Sequence, residues 1–383
     1  MDMKIKSSFD PRCITYSQMN LIVNSRIYYR RLTTWTRAYI LSKYYGIGTE
    51  EELFGRLYLE SLDIGKMMQI VFGREISEQY SQFLSQFPIA LRDLLNAQTE
   101  GDMEAVARNI DRLYQNVAER AVFLEEINPY WSEAEYIELF STYIQLILEV
   151  ANALAARDFN KGMELYDRLT AHSNRMGDVF AQGLYEYITS GQQAAEPLSP
   201  QQCITFDQMN TIYYIRMFWF ELVIWIREYM LSRYLNLGDA DEIYAWLNQV
   251  TADFVNNMKQ IFVEIDTAEY LQLFRDYLGL IDALITAQIE GNIDEMSRIT
   301  QSLYQNADER AAFVASINPF WNEDDARVRL YNNLRSTIEE STTFLTGDYA
   351  RNIDIFSRLL DQAESTSNFL AQGAFEYLTG REM

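Results

Sequence analysis

The residues best suited to chemistry in this sequence are charged side chains that lie inside apolar stretches and recur 190 residues later. Asn116 and Arg120, for example, interrupt a series of apolar residues spaced three and four apart, which is typical of one helix face. The recurring candidates for a buried polar network are Arg37, Asp63, Arg120 and Glu149 in the first half, and Arg227, Asp253, Arg310 and Glu339 in the second.

These charges predict buried ion pairs. An inward-facing guanidinium without a carboxylate costs on the order of several kcal/mol, so pairing is close to obligatory. We therefore expect Arg37 to bond to Asp63 or Glu149, and Arg227 to bond to Asp253 or Glu339. Such pairs can simply fix the register of neighbouring helices. The alternative is a polar cavity that binds a small anion or an amphipathic ligand between helices.

The motifs of common enzymes and metal sites do not occur in the sequence. It has no Cys-x-x-Cys pair, no glycine-rich phosphate loop, no G-x-S-x-G elbow and no H-E-x-x-H. The single histidine, His172, has Gln362 as its counterpart, and we expect an ordinary residue at a helix surface or partly buried. The sequence thus predicts no catalytic residue, no metal ligand and no cofactor.

An internal repeat organises the chain. A gapless offset of 190 residues aligns Cys13–Asn20 with Cys203–Asn210, and the same offset aligns Ala181–Gly183 with Ala371–Gly373. We therefore predict repeat 1 over residues 1–189, a linker rich in Gln, Ala, Ser and Pro over 190–202, and repeat 2 over 203–383.

The fold class predicted from these patterns is all-α, with two tandem helical bundles of about six antiparallel helices each. Cap signals such as Gly101-Asp102 place the helices of repeat 1 near 16–46, 50–72, 77–99, 102–127, 132–156 and 159–188. The last four helices form two related hairpins, which indicates a four-helix bundle. Retained residues lie on two opposite faces of the first helix, so we expect cover from its own bundle and from the second helix or the other repeat.

The composition limits the partners. A formal charge of −23 opposes binding to nucleic acid and to anionic membranes. The N-terminus resembles no signal peptide, and charged residues interrupt the most apolar stretch, Ile212–Leu231. Cys13 and Cys203 occupy the same repeat position, which suggests common descent and not a disulfide framework. A cytoplasmic location is the resulting expectation.

Two short motifs carry a resemblance to known proteins. Trp35-Thr36-Arg37 in the first helix and Ile127-Asn-Pro-Tyr-Trp131, with Glu149 further on, resemble a family of short, single-unit bacterial helical proteins of unknown function. Members of that family carry histidines, one of them three residues before the tryptophan, in a pattern that would suit a metal inside a bundle. Here Leu32 and Leu222 stand at that position. The resemblance therefore implies a scaffold that has lost its metal ligands.

These observations favour a non-enzymatic structural or interaction protein that acts through self-association or a protein partner. Duplication favours this function because two similar units present a pseudo-symmetric surface. The alternative is a ligand-binding bundle of ferritin-like type with degenerate metal ligands, which would hold a metal, a tetrapyrrole or an apolar small molecule. The sequence leaves open which partner or ligand is bound and whether both repeats keep one function.

Overall fold

The computed structural model describes residues 10–190 and 202–380, and it is all-α apart from one two-stranded ladder. The helices of the first repeat are α1 (Tyr16–Tyr45), α2 (Glu50–Phe72), α3 (Arg74–Glu100), α4 (Met103–Ile127), α5 (Glu133–Ala155) and α6 (Phe159–Thr189). Those of the second are α7 (Phe206–Leu235), α8 (Ala240–Ile261), α9 (Thr267–Glu290), α10 (Ile293–Ile317), α11 (Glu323–Thr346) and α12 (Tyr349–Thr379). The predicted fold class is confirmed, and the bounds predicted for repeat 1 agree within three residues.

The predicted turns between helices form through local chemistry. Gly101 and Gly291 end α3 and α9 in the left-handed region, with φ of 76° and 69°, which a side chain rarely adopts. Asp102 and Asn292 follow and accept hydrogen bonds from the third backbone N–H of the next helix. These caps explain why α3 and α4, and likewise α9 and α10, become close neighbours.

The Ile-Asn-Pro motif builds a buried turn that explains the repeated Ala-Gln-Gly segment. Asn128 is buried between α4 and α5, where its side-chain amide donates to the carbonyl of Gly183 at 3.0 Å. The indole of Trp131 lies so close to Gly183 that a Cβ there would come within 2.0 Å of it. Trp321 approaches Gly373 in the same way, at 2.2 Å. The motif is therefore a packing device in both repeats.

The first helix of each repeat is buried along most of its length. The face that carries Tyr39 contacts Phe54 of α2. In the second repeat Trp225 contacts Trp246 of α8, and Tyr229 is in ring contact with Tyr244 of α8. The expected cover by the second helix is thus present in both repeats.

The described residues divide into two compact units whose boundary differs from that of the sequence repeat. Residues 17–190 belong to the first unit, whereas residues 11–16 join 202–380 in the second. There β1 (Ile14–Thr15) pairs antiparallel with β2 (Cys203–Ile204). Of the linker predicted over 190–202, Ser190 caps α6, Gln202 precedes β2, and residues 191–201 lie outside the described residues.

The expectation that the two cysteines do not form a disulfide is wrong. Cys13 and Cys203 are disulfide-bonded, with Cα atoms 5.0 Å apart. The reason lies in the ladder register, because Ile14 pairs with Ile204, its own counterpart in the other repeat. The ladder places Cys203 opposite Thr15, so the two cysteines meet diagonally across the Ile14–Ile204 pair once the distant segments lie side by side.

Among the described residues one helix, α5, is long and apolar enough by composition to cross a membrane. Of its apolar window 56% is buried within the protein, as in many core helices. The prediction that Ile212–Leu231 in α7 comes nearest to such a segment is wrong, because α5 meets the criterion of length and composition and α7 does not.

Candidate buried polar sites and inter-helix grooves

The second unit contains a fully buried ion pair between α7 and α11. Arg227 and Glu340 are bonded to each other, and their side chains are 6% and 1% exposed. The guanidinium also lies over the ring of Phe356, 4.4 Å from its centre. Burial raises the pKa of Glu340, and the opposing effect of Arg227 only partly offsets this. The pair therefore joins α7 to α11 in the interior of the unit.

The prediction that Arg227 is buried and bonded to a carboxylate is confirmed, but both predicted partners are wrong. Glu339 instead pairs with Arg351 and Arg358 near the surface. Asp253 is exposed and accepts a hydrogen bond from Gln249. Neighbouring residues on a helix point about 100° apart, so only one of Glu339 and Glu340 can face the core.

Arg37 in the first unit has a different environment. It is buried as predicted, and its guanidinium lies 4.9 Å from the centre of the Tyr166 ring. The predicted partners are again wrong, since Asp63 pairs with Lys66 and Glu149 accepts from Gln145. The counterpart of Glu340 here is Val150.

Arg120 and Arg310 occupy the middle of α4 and α10, and both are buried. Arg120 lies over Phe140, 4.1 Å from the ring centre. Arg310 donates from Nε to the side-chain oxygen of Asn306 at 2.9 Å and lies 4.3 Å from the ring centre of Tyr277. Burial lowers the pKa of Arg310. Within the described residues neither guanidinium has a carboxylate partner.

His172 is half-buried on α6, and its Nε2 donates to the backbone carbonyl of Leu139 at 2.8 Å. Burial lowers the pKa of its imidazole. In residues 10–190 and 202–380, no group of three or more His, Cys, Asp or Glu side chains is placed to hold a metal ion.

A polar groove lies between the third and fourth helices of each repeat. In unit 2 it has a volume of about 460 Å³. Its lining residues are Arg275, Asp276, Gly279, Leu280, Ser302, Gln305, Asn306 and Glu309. In unit 1 the volume is about 210 Å³, and the lining residues are Gln86, Ile89, Ala90, Arg112, Gln115 and Asn116. All six positions of the smaller groove recur in the larger one.

Two differences explain why the groove in unit 2 is larger. Arg112 of α4 reaches across to Asp93 of α3 at 2.9 Å, whereas the counterparts of these residues are Ser302 and Ala283. The floor is shared, because the side-chain amides of Asn116 and Asn306 donate to backbone carbonyls of the preceding helix at 2.8 and 2.9 Å. Retention of Asn116 therefore reflects this helix-to-helix bond.

Sequence reasoning missed Glu340, Arg329 and Ala326, all on α11. Each has an unlike counterpart in the first repeat, namely Val150, Leu139 and Tyr136. Because these residues differ between the repeats, identity between the two copies gives no signal for them. The usable signal for Glu340 is its place three residues after Thr337 and four before Phe344, both of which α11 also buries.

The chain matches no known protein-family model, no curated protein and no solved structure.

Proposed function

We propose that the protein is a non-enzymatic interaction protein that acts through self-association or a protein partner, using the grooves between the third and fourth helices. The observation that carries this proposal is the recurrence of all six lining positions of the smaller groove in the larger one. Gln115 and Asn116 are identical to Gln305 and Asn306. The duplication has kept an open surface feature at the same place twice.

The chemistry of the larger groove suits a polypeptide. Gln305 donates to Glu309 at 3.0 Å and keeps a second N–H and its carbonyl oxygen for a peptide backbone. Arg275, Asp276 and Glu309 supply charges of both signs. Gly279 presents no side chain toward an approaching chain. The overall charge of −23 disfavours nucleic acid and anionic membranes as partners.

The cytoplasmic location expected from the sequence stays a prediction. The Cys13–Cys203 disulfide argues against it, because such bonds persist mainly in oxidising compartments. Thiol alkylation at the moment of cell lysis, followed by mass spectrometry of the intact chain, decides the question. A disulfide already present at lysis places the protein outside a reducing cytoplasm.

A ligand-binding bundle remains the second candidate function, and one observation favours it. A cavity of about 20 Å³ in unit 2 is lined by two arginines and an indole. This volume is far too small for a tetrapyrrole. A ligand in this cavity would have to be about the size of a water molecule or a monatomic ion.

Sedimentation velocity over a range of protein concentrations tests the interaction function. The double variant Ala283→Asp with Ser302→Arg copies the residues that narrow the groove in unit 1. Ala245→Asp with Asn256→Arg adds the same two residue types at exposed positions of α8 and serves as the matched control. We expect concentration-dependent association in the wild type and the control, and its loss in the groove variant.

If the wild type is monomeric, a photoreactive amino acid at Gln305 tests for a protein partner in cells. Cross-linking to one defined protein, abolished by the groove variant and kept by the control, supports the proposal. A monomer that cross-links to no protein, or that cross-links equally in both variants, contradicts it.

A further inference from the structure

The buried arginine of the fourth helix is surrounded in both repeats by polar atoms that have no hydrogen-bond partner. In unit 1 these are Arg120 Nε, the nearby hydroxyls of Tyr29 and Tyr80, and the hydroxyl of Tyr136 beside those two tyrosines. In unit 2, Trp219 Nε1 and Arg329 Nε are likewise buried without a partner. Buried polar atoms nearly always find a protein group, water or ion, so this recurrence indicates an internal binding position.

In unit 2 this position is a cavity of about 20 Å³. Trp219 of α7, Arg310 of α10 and Arg329 of α11 line it, and the other lining side chains are apolar or hydroxylic. Trp219 and Arg310 are more than nine-tenths buried. The volume accommodates about one sphere of the size of a water molecule.

The charge around the cavity is positive and has no counter-charge in the lining. None of the lining residues is acidic. Arg310 bonds to the neutral Asn306, and Arg329 donates from Nη1 to the backbone carbonyl of Ser365 at 3.2 Å. Two guanidinium groups and an indole present only N–H donors. A neutral water would satisfy a donor but leave the buried positive charge uncompensated.

The first unit differs at the positions that create this environment. Tyr136 replaces the small Ala326, Leu139 replaces Arg329, and Tyr29 replaces Trp219. One cation therefore remains there, among phenol hydroxyls that both donate and accept hydrogen bonds. With one guanidinium instead of two, the buried charge to be compensated is smaller there, and water between Arg120 and the phenol hydroxyls would complete their hydrogen bonds.

We propose that the cavity of unit 2 binds one monatomic anion of the size of chloride, held by Arg310, Arg329 and Trp219. The anion supplies the negative charge that the protein does not, and a monatomic ion is the class of anion closest in size to a cavity of about 20 Å³. Arg329 is only partly buried, so the anion enters beside it from solvent. This site is separate from the α9–α10 groove and does not depend on the proposed interaction.

The test is the thermal unfolding of the full chain at constant ionic strength, with sodium chloride replaced stepwise by sodium gluconate, whose anion is too large for the cavity. An anion bound only to the folded state raises the unfolding midpoint as its concentration increases, by roughly 5–10 °C at a hundredfold excess over its dissociation constant. We expect this chloride-specific rise in the wild type. Equal midpoints in the two salts mean an ordered water only and overturn the proposal.

Two single variants each give unit 2 the residue that unit 1 has at the equivalent position. Ala326→Tyr fills the cavity, and Trp219→Tyr removes the indole donor but keeps an aromatic ring. Both variants should lose most of the chloride-specific rise in the unfolding midpoint. If Ala326→Tyr does not fold, the result for Trp219→Tyr alone tests the site. Tyr136→Phe in unit 1 is the control and should keep the full rise. A full rise in Trp219→Tyr, or its loss in the control, overturns the assignment to unit 2.

Discussion

The two repeats hold the same arginines in their interiors, but several of the groups around these arginines differ. Arg37 lies against the ring of Tyr166, whereas Arg227 is bonded to Glu340. Arg120 lies over Phe140 and Arg310 lies over Tyr277, but Arg310 also donates to Asn306. The arginines are therefore retained, and the change is clearest at Arg227, whose carboxylate partner Glu340 has Val150 as its counterpart.

The turn between the fourth and fifth helices shows the opposite behaviour. Asn128, Trp131 and Gly183 all recur, because the indole occupies the space that a Cβ at the glycine would need. A buried cation can be satisfied by a carboxylate, an amide or an aromatic face. A steric fit of this kind has one solution, which explains why the duplication preserved it.

The largest effect is expected from Glu340→Val, which gives the second unit the residue that Val150 provides in the first. It leaves Arg227 buried without its carboxylate, and we expect a loss of about 3–5 kcal/mol in the free energy of unfolding of unit 2. Urea denaturation measures the loss. Glu339→Val is the control, since its bridges are near the surface and contribute about 1 kcal/mol or less.

A double variant sharpens that comparison. Arg227→Met combined with Glu340→Val removes both charges, and replacement of a whole buried pair by apolar residues is often neutral. We therefore expect it to recover most of the stability lost in Glu340→Val. A double variant as unstable as the single one would show that packing, and not the unpaired charge, accounts for the loss.

The next effect concerns the disulfide that joins residues 190 positions apart. We expect Cys203→Ser to lower stability by on the order of 2–5 kcal/mol, because the bond restricts the unfolded chain. Calorimetry of the variant beside the oxidised and reduced wild type measures this. The reduced wild type should match the variant, and no difference between oxidised and reduced protein would contradict the assignment.

Gly183→Ala and Gly373→Ala test whether the close fit between indole and glycine is equally strict in the two repeats. Each added methyl meets an indole at 2.0–2.2 Å, and overpacking of this kind costs about 1–3 kcal/mol. Gly279→Ala is the control, because the nearest atom to its new methyl is 4.0 Å away. We expect similar losses at Gly183 and Gly373 and none at Gly279 in chemical denaturation. Losses that differ strongly between Gly183 and Gly373 would show that the turn has diverged.

The smallest effect is a dependence of stability on pH. Burial raises the pKa of Glu340 in the folded state, so the folded chain binds this proton more tightly than the unfolded chain. The resulting stabilisation is full below the ordinary pKa of a glutamic acid and is lost as the pH rises through the raised value. Subtracting the stability profile of Glu340→Gln from that of the wild type isolates it. A difference that instead grows with rising pH would contradict the sign.

Sequence reasoning predicted the fold well because the relevant signals are local. Gly101 and Asp102 fix a helix end and a helix start within two residues, and the 190-residue offset transfers the pattern to the second repeat. The counter-ions were not predictable in this way. Whether Glu339 or Glu340 faces inward depends on helix rotation, and the pairing of Cys13 with Cys203 depends on a ladder between distant segments.

The central claim is that the surroundings of Arg120 in unit 1 and of Arg310 in unit 2 have diverged. Only the buried charge in unit 2 then requires an anion from solution. Anomalous diffraction from crystals of the full chain grown in sodium bromide tests it most directly. We predict a bromide peak within hydrogen-bonding distance of Arg310, Arg329 and Trp219, and none at Arg120. A peak beside both arginines of the fourth helices, or beside neither, would contradict the account.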